Sequence, residues 1–115
     1  MKINKGLSLL ALVALSGCGP DTQKDVQELD KFAQCLTENG ATMYGVEWCP
    51  GCNAQKKLFK DSFQYINYVD CEKERQTCRD AYIILYPTWT DKNGMQYIGA
   101  FELETLGQIF NCPCP

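Results

Sequence analysis

The apolar positions of the chain fall into blocks with different spacings, and each spacing predicts an element. Leu7 to Leu15 is a nearly unbroken apolar run behind Lys2 and Lys5, too short to cross a bilayer. From Val26 the period becomes helical. Val26, Leu29, Phe32, Ala33 and Leu36 recur with charges between them, and Asn39-Gly40 supplies a C-terminal stop. Thr42 to Glu47 is rich in strand formers and predicts a buried strand, which Pro50-Gly51 breaks. Asn53 to Lys60 predicts a helix with Ala54, Leu58 and Phe59 on one side. Phe63 to Asp70 alternates aromatic or β-branched residues with polar ones, as a second strand would. Glu72 to Ala81 is charged and predicts a helix. Thr88 to Thr90 and Met95 to Ile98 flank Asp91-Lys92-Asn93-Gly94, a hairpin turn. Glu102 to Phe110 predicts a closing helix before the tail Asn111-Cys112-Pro113-Cys114-Pro115.

Strands that alternate with helices and finish in a hairpin predict an α/β fold, a central mixed four-stranded sheet flanked by helices. No internal repeat or second domain is visible. The opening block is of another kind. It ends in Leu15-Ser16-Gly17-Cys18, which resembles the bacterial lipobox, where a cysteine is lipidated and becomes the new N-terminus. An ordinary secretory signal with an incidental Cys18 is the plainer reading, and either one exports the domain. The expected organisation is a lipoprotein signal peptide at 1–17, a lipidated tether at 18–24, the folded domain at 25–112 and a tail at 113–115. The expected location is extracytoplasmic, on a membrane through the lipid at Cys18.

Charge changes the picture little. The chain has 11 basic and 14 acidic residues, and cleavage before Cys18 would remove Lys2 and Lys5 and no acid. With no basic patch, nucleic acid is not an expected partner. The eight cysteines matter more, because a small exported domain gains from covalent staples. With Cys18 lipidated, an odd number remains: Cys35, Cys49, Cys52, Cys71, Cys78, Cys112 and Cys114. At least one stays free or pairs with another molecule.

The candidate chemistry lies in Trp48-Cys49-Pro50-Gly51-Cys52. Two cysteines two residues apart, at a strand-to-helix junction, can close a small disulfide ring. At a helix N-terminus the first sulfur meets free backbone amides and the positive end of the dipole, which favour the attacking thiolate. The second lies one turn on, close enough to resolve a mixed disulfide. Cys49 is therefore the expected nucleophile and Cys52 the resolving thiol, with Pro50 suited to the first turn. The same spacing also occurs in zinc sites and in plain structural bridges. The aromatic Trp48, the strand before and the helix after favour the redox setting. Tyr86-Pro87-Thr88 precedes a predicted strand, where thioredoxin folds place a cis-proline loop facing the active disulfide; a trans turn proline is the ordinary alternative. No cofactor or metal is expected.

Taken together, Phe32 to Ala41, Met43-Tyr44-Gly45, Trp48-Cys49-Pro50, Gln55 to Phe59, Tyr86-Pro87-Thr88-Trp89, the Gly94 turn, Tyr97 and Leu103 to Leu106 resemble one group. It is the thioredoxin-like domain that accompanies bacterial vitamin K epoxide reductase homologues, matched over about residues 30 to 112. In that family the domain is often fused to a quinone-linked membrane protein and relays disulfides between it and exported substrates. The resemblance implies Trp48, Tyr86, Pro87 and Thr88 as the substrate-binding surface, with Tyr44 and Trp89 near the disulfide as packing. It also implies that Cys71 and Cys78 form a structural clasp, where the functional alternative is an electron relay. Two departures stand out. The family carries His where this chain has Gly51, and there is no histidine at all. Thioredoxins carry a buried acid where this chain has Met43, so Glu47 becomes the nearest carboxylate, catalytic or merely solvated.

Cys35 and Cys112 pair if the ends of the first and last helices meet, and Cys114 is an alternative to Cys112. Cys112-Pro113-Cys114 beside the other pair also raises copper or zinc binding, which the lack of histidine disfavours. Two functions remain. One is thiol-disulfide exchange on exported protein thiols, preferably oxidation recharged by a vitamin K epoxide reductase-like or Dsb-type membrane redox partner, with protein-disulfide reduction as the competitor. The other is a non-enzymatic, disulfide-stapled binding lipoprotein.

Overall fold

The structure is a computed structural model that describes residues 22–115; the signal at 1–17, Cys18 and residues 19–21 of the tether lie outside the described residues. Helix α1 (Thr22–Glu38) takes up residues 22–24, which were expected as tether. It buries Phe32, Ala33 and Leu36, while Val26 at its open end is exposed. Strand β1 (Thr42–Gly45) leads into α2 (Pro50–Phe59), which a 3-10 helix (Lys60–Tyr65) prolongs. Then come β2 (Tyr68–Asp70), α3 (Arg75–Asp80), β3 (Thr88–Thr90), β4 (Gln96–Ile98) and α4 (Leu103–Phe110).

The strands form one mixed sheet in the order β2-β1-β3-β4. Strand β1 is parallel to β2 and antiparallel to β3, and β3 and β4 form an antiparallel hairpin. In the hairpin turn the Asp91 carboxylate accepts from the amides of Asn93 (2.9 Å) and Met95 (3.0 Å). The register sets Tyr68, Met43, Trp89 and Tyr97 side by side, so these four share a face. Aromatic rings join that row to the helices. Phe59 of α2 packs on Trp89 (6.3 Å between centroids) and on Phe32 of α1 (6.2 Å), and Phe110 of α4 packs on Trp89 and Tyr97 (6.1 Å each). The core is this cluster.

Two predicted elements are corrected. Phe63 to Tyr65 was expected in a strand but lies in the 3-10 helix. Phe59, Phe63 and Ile66 are spaced four and three apart, a helical period hidden under the local alternation. Helix α1 holds this turn: Ser62 Oγ donates to Asp30 Oδ1 (2.5 Å) and Thr37 Oγ1 donates to the Tyr65 carbonyl (2.7 Å). The helix expected from Glu72 starts only at Arg75. Asp70 explains the delay, because its carboxylate accepts from the Glu72 amide (2.9 Å) and its carbonyl from the Glu74 amide (2.8 Å), closing a turn instead.

The tail is folded back. Asn111 adopts the left-handed conformation (φ 59°), and the Cys112 amide donates to the Gly107 carbonyl (2.9 Å). A Cβ on Gly107 would stand 2.6 Å from the Cys112 carbonyl oxygen, so only glycine lets the chain return this closely. The return brings Cys112 onto α1, where it is bonded to Cys35 (S–S 2.07 Å). Asn39 adds a hydrogen bond from its side-chain amide to the Phe110 carbonyl (2.8 Å). Cys71 and Cys78 are also bonded to each other (S–S 2.03 Å), and Cys114 is an exposed free thiol.

Candidate functional site

Cys49 is the N-cap of α2, and its sulfur accepts a hydrogen bond from the Cys52 amide (3.1 Å). Pro50 occupies the first turn, where its missing N–H leaves nothing unsatisfied. The helix therefore presents a backbone donor and the positive end of its dipole to one sulfur. Both cysteines are unpaired thiols. Cys49 is 5% exposed and Cys52 0%, so a second molecule meets Cys49 first. Burial, followed by the hydrogen-bonded Cys49 sulfur beside it, pushes the Cys52 thiol from 9.0 up to about 11.

Gly45 makes room for that inner thiol. A Cβ there would lie 2.8 Å from Cys52 Sγ and 3.2 Å from the Tyr68 hydroxyl, so the end of β1 must be bare for the sulfur to sit against it.

The outer wall comes from the loop before β3. The Tyr86-Pro87 peptide bond is cis, and the Pro87 ring reaches 3.2 Å from where a Gly51 Cβ would stand. Tyr86 meets the indole of Trp48 edge-on (6.3 Å, 89°), and the Trp48 N–H donates to Glu72 Oε2 (3.1 Å). Trp48 is thus pinned at both ends and still 66% exposed. It stands over a shallow groove of about 290 Å³ that Arg75, Arg79 and Tyr86 also line. A mixed sheet in the order β2-β1-β3-β4, with two cysteines opening α2 and a cis-proline against them, settles the architecture.

The fold is thioredoxin-like.

The chain is 35% identical over 87 residues to the thiol-disulfide oxidoreductase LTO1 of Arabidopsis thaliana, a match that takes in 68% of this chain. It spans only 23% of that relative's length. Among solved structures, it is similar to oxidized mitochondrial thioredoxin 3 from Saccharomyces cerevisiae. That likeness has 18% identity and a TM-score of 0.49, and covers 72% of this chain and 88% of the other. No family profile matches the chain.

The thioredoxin-like frame brings together Trp48, Cys49, Cys52, Tyr86 and Pro87. Thr88 lies beneath them, fully buried, its hydroxyl donating to the Leu85 carbonyl (2.7 Å); it is turned inward to its own loop. Trp89 is a core residue. Glu47 is exposed, and its carbonyl accepts from the Asn53 side chain (3.2 Å). Among the described residues no cluster of His, Cys, Asp or Glu could hold a metal, and no helix is long and apolar enough to cross a membrane. Cys18 lies outside the described residues.

The face of α2 differs from expectation. Its buried residues are Cys52, Gln55 and Phe59, while Ala54 is exposed. Gln55 is wholly buried and bonded through both ends of its side-chain amide. Its oxygen accepts from Trp89 Nε1 (3.1 Å) and the Phe101 amide (2.8 Å), and its Nε2 donates to the Phe101 carbonyl (2.9 Å). It fastens the helix that carries the cysteines to β3 and to the loop after β4. The one available signal was its position, three residues after Cys52 and four before Phe59 on a helix.

Proposed function

We propose that this chain is an extracytoplasmic thiol-disulfide oxidoreductase that works on exported protein thiols through Cys49 and Cys52. The observation that carries the reading is the placement of Cys49, capping α2 with a donor on its sulfur, beside the cis Tyr86-Pro87 loop and in front of a buried second thiol. The relationship to a protein named as a thiol-disulfide oxidoreductase supports it. In the oxidising direction a substrate thiolate attacks Cys49 of the disulfide form and Cys52 leaves. A second substrate thiol then displaces Cys49, and the dithiol is regenerated to a disulfide by a partner oxidant. Trp48 and Tyr86 offer flat apolar surface to the substrate chain, next to the cis-proline loop.

The same reading extends to the membrane, the partner and the direction of exchange. This extension rests on the resemblance to domains that accompany vitamin K epoxide reductase homologues and on the Leu15-Ser16-Gly17-Cys18 run. Lipid on Cys18 would hold the domain at a membrane, where confinement raises the encounter rate with a quinone-linked or Dsb-type partner. The preferred direction is oxidation, with reduction as the competitor because Gly51 replaces histidine.

The test is the reduction potential of Cys49–Cys52 in glutathione buffers. A value of roughly −120 to −180 mV supports oxidation or isomerisation, and about −270 mV supports reduction. A bridge that stays closed below about −300 mV is structural and overturns the reading. Cys49→Ser must abolish exchange with a protein disulfide.

A further inference from the structure

Among the described residues, the Tyr68 hydroxyl is the buried side-chain polar atom left without a hydrogen-bond partner. An orphaned buried donor costs stability and calls for an explanation. Its position supplies one. Tyr68 pairs with Met43 in the β1–β2 ladder and lies on the same side as Gly45. A single point, the site of the Cβ that Gly45 lacks, is 3.2 Å from the hydroxyl and 2.8 Å from Cys52 Sγ. Sulfur and hydroxyl thus both border the space that glycine leaves open. The ring is held by Phe63 (5.5 Å, edge-on), and the Lys56 ammonium sits 4.3 Å over its centroid. Met43, the residue next to it across the ladder, brings no polar group to this space.

We propose that the Tyr68 hydroxyl donates to the Cys52 sulfur whenever that sulfur carries charge. This rests on the redox reading of Cys49–Cys52. In either direction the Cys52 thiolate is an obligatory intermediate. During resolution, Cys52 gives its proton to solvent and its sulfur attacks Cys49. The Cys49–Cys52 bond forms, the bond from Cys49 to the substrate breaks, and the electron pair leaves on the substrate sulfur, which takes a proton from solvent. The two enzyme sulfurs are oxidised and the substrate disulfide is reduced. In the reverse direction, a substrate thiolate attacks Cys49 and the pair leaves on Cys52. The thiol is a poor partner for the phenol and the thiolate a strong one, so the hydroxyl finds its bond only in the intermediate. Lys56 works in the same sense, since a cation over the ring draws density from the hydroxyl. The titratable groups around this pair are Cys49, Lys56, Asp70 and Glu47.

The experiment uses the full chain and Tyr68→Phe, which keeps the ring, its packing and the cation above it. Stopped-flow rates are measured for reduction of the disulfide form by glutathione and for oxidation of the dithiol by glutathione disulfide, near neutral pH. An interaction confined to the intermediate slows both directions by the same factor and leaves the reduction potential unchanged. A hydrogen bond to a charged group makes that factor roughly ten or more. Removing an unsatisfied hydroxyl should leave the melting temperature equal or higher. Gly45→Ala fills the shared space and should slow both directions as well. Unchanged rates in Tyr68→Phe, a change in one direction with a shifted potential, or a variant that fails to fold would each overturn the role of Tyr68. A parent chain that exchanges with glutathione in neither direction would overturn the redox reading, and this inference with it.

Discussion

Replacing Gln55 by leucine should be among the most damaging changes that leave both site cysteines in place. Leucine has similar bulk, so the loss is one of hydrogen bonds. Trp89 Nε1, on a residue 0% exposed, and the Phe101 amide lose their acceptor, and the Phe101 carbonyl loses its donor. A buried donor left without a partner costs about 1–3 kcal/mol. Counting the indole in full and the half-buried Phe101 groups in part gives about 2–4 kcal/mol. For a domain of this size each kcal/mol lowers Tm by about 4–8 °C, so a fall of roughly 10–25 °C is expected. Denaturant unfolding on a double-mutant cycle then isolates the cause. Trp89→Phe deletes the orphaned N–H, so it should cost less in the Gln55→Leu background than in the parent chain, with a coupling of about 1 kcal/mol or more. Additivity within about 0.5 kcal/mol, or a Tm loss below about 3 °C, would mean that the Gln55 hydrogen bonds do not hold α2 to β3.

Two further outcomes follow from charge and chain connectivity. Cys52 keeps its proton to about 11 in the fold against 9.0 for an ordinary thiol. The folded dithiol form therefore binds more protons than the unfolded one between those values. Its stability falls as pH rises through that window, by at most about 1.4 kcal/mol per unit, while the disulfide form lacks this contribution. Denaturant midpoints of both forms from pH 8 to 11 check this, and parallel curves would count against it. Separately, Cys35–Cys112 closes a separation of 77 residues and Cys71–Cys78 one of 7. Chain entropy then assigns about 4.5 kcal/mol to the first and about 2.5 kcal/mol to the second. Paired Cys→Ala variants should rank in that order by thermal melting; the reverse ranking would place the stabilisation elsewhere than in the unfolded chain.

What was legible in the sequence was local. The apolar period of α1, the Asp91 to Gly94 turn and the strand-break-helix pattern around Pro50 each need only neighbours along the chain, and each element is present, although α1 begins at Thr22, β1 ends at Gly45 rather than Glu47 and α2 starts at Pro50 rather than Asn53. The 3-10 turn was less legible because two periods overlap there. Phe63 and Tyr65 alternate as in a strand, but Phe63 also continues the helical row from Phe59, and the hydrogen bonds from α1 decide between them.

The inner half of the site was illegible for a different reason. Hydrophobic patterning treats a glutamine or a tyrosine hydroxyl as something to expose, and by that rule Gln55 belongs to solvent and Tyr68 to an alternating strand. What buries Gln55 is that an indole N–H 34 residues away and a peptide group 46 away end at the same place with nothing else to bond. Tyr68 is left unpartnered in this form of the protein, where the sulfur that borders the same space as its hydroxyl belongs to a free thiol. The first polar residue is buried because the fold satisfies it. The second is buried because the chemistry does so for an instant, and a sequence pattern records neither condition. For Tyr68 the sequence does keep one trace: Gly45, whose missing Cβ would stand 2.8 Å from Cys52 Sγ and 3.2 Å from the Tyr68 hydroxyl, is the position at which any side chain would close the space that the two groups border.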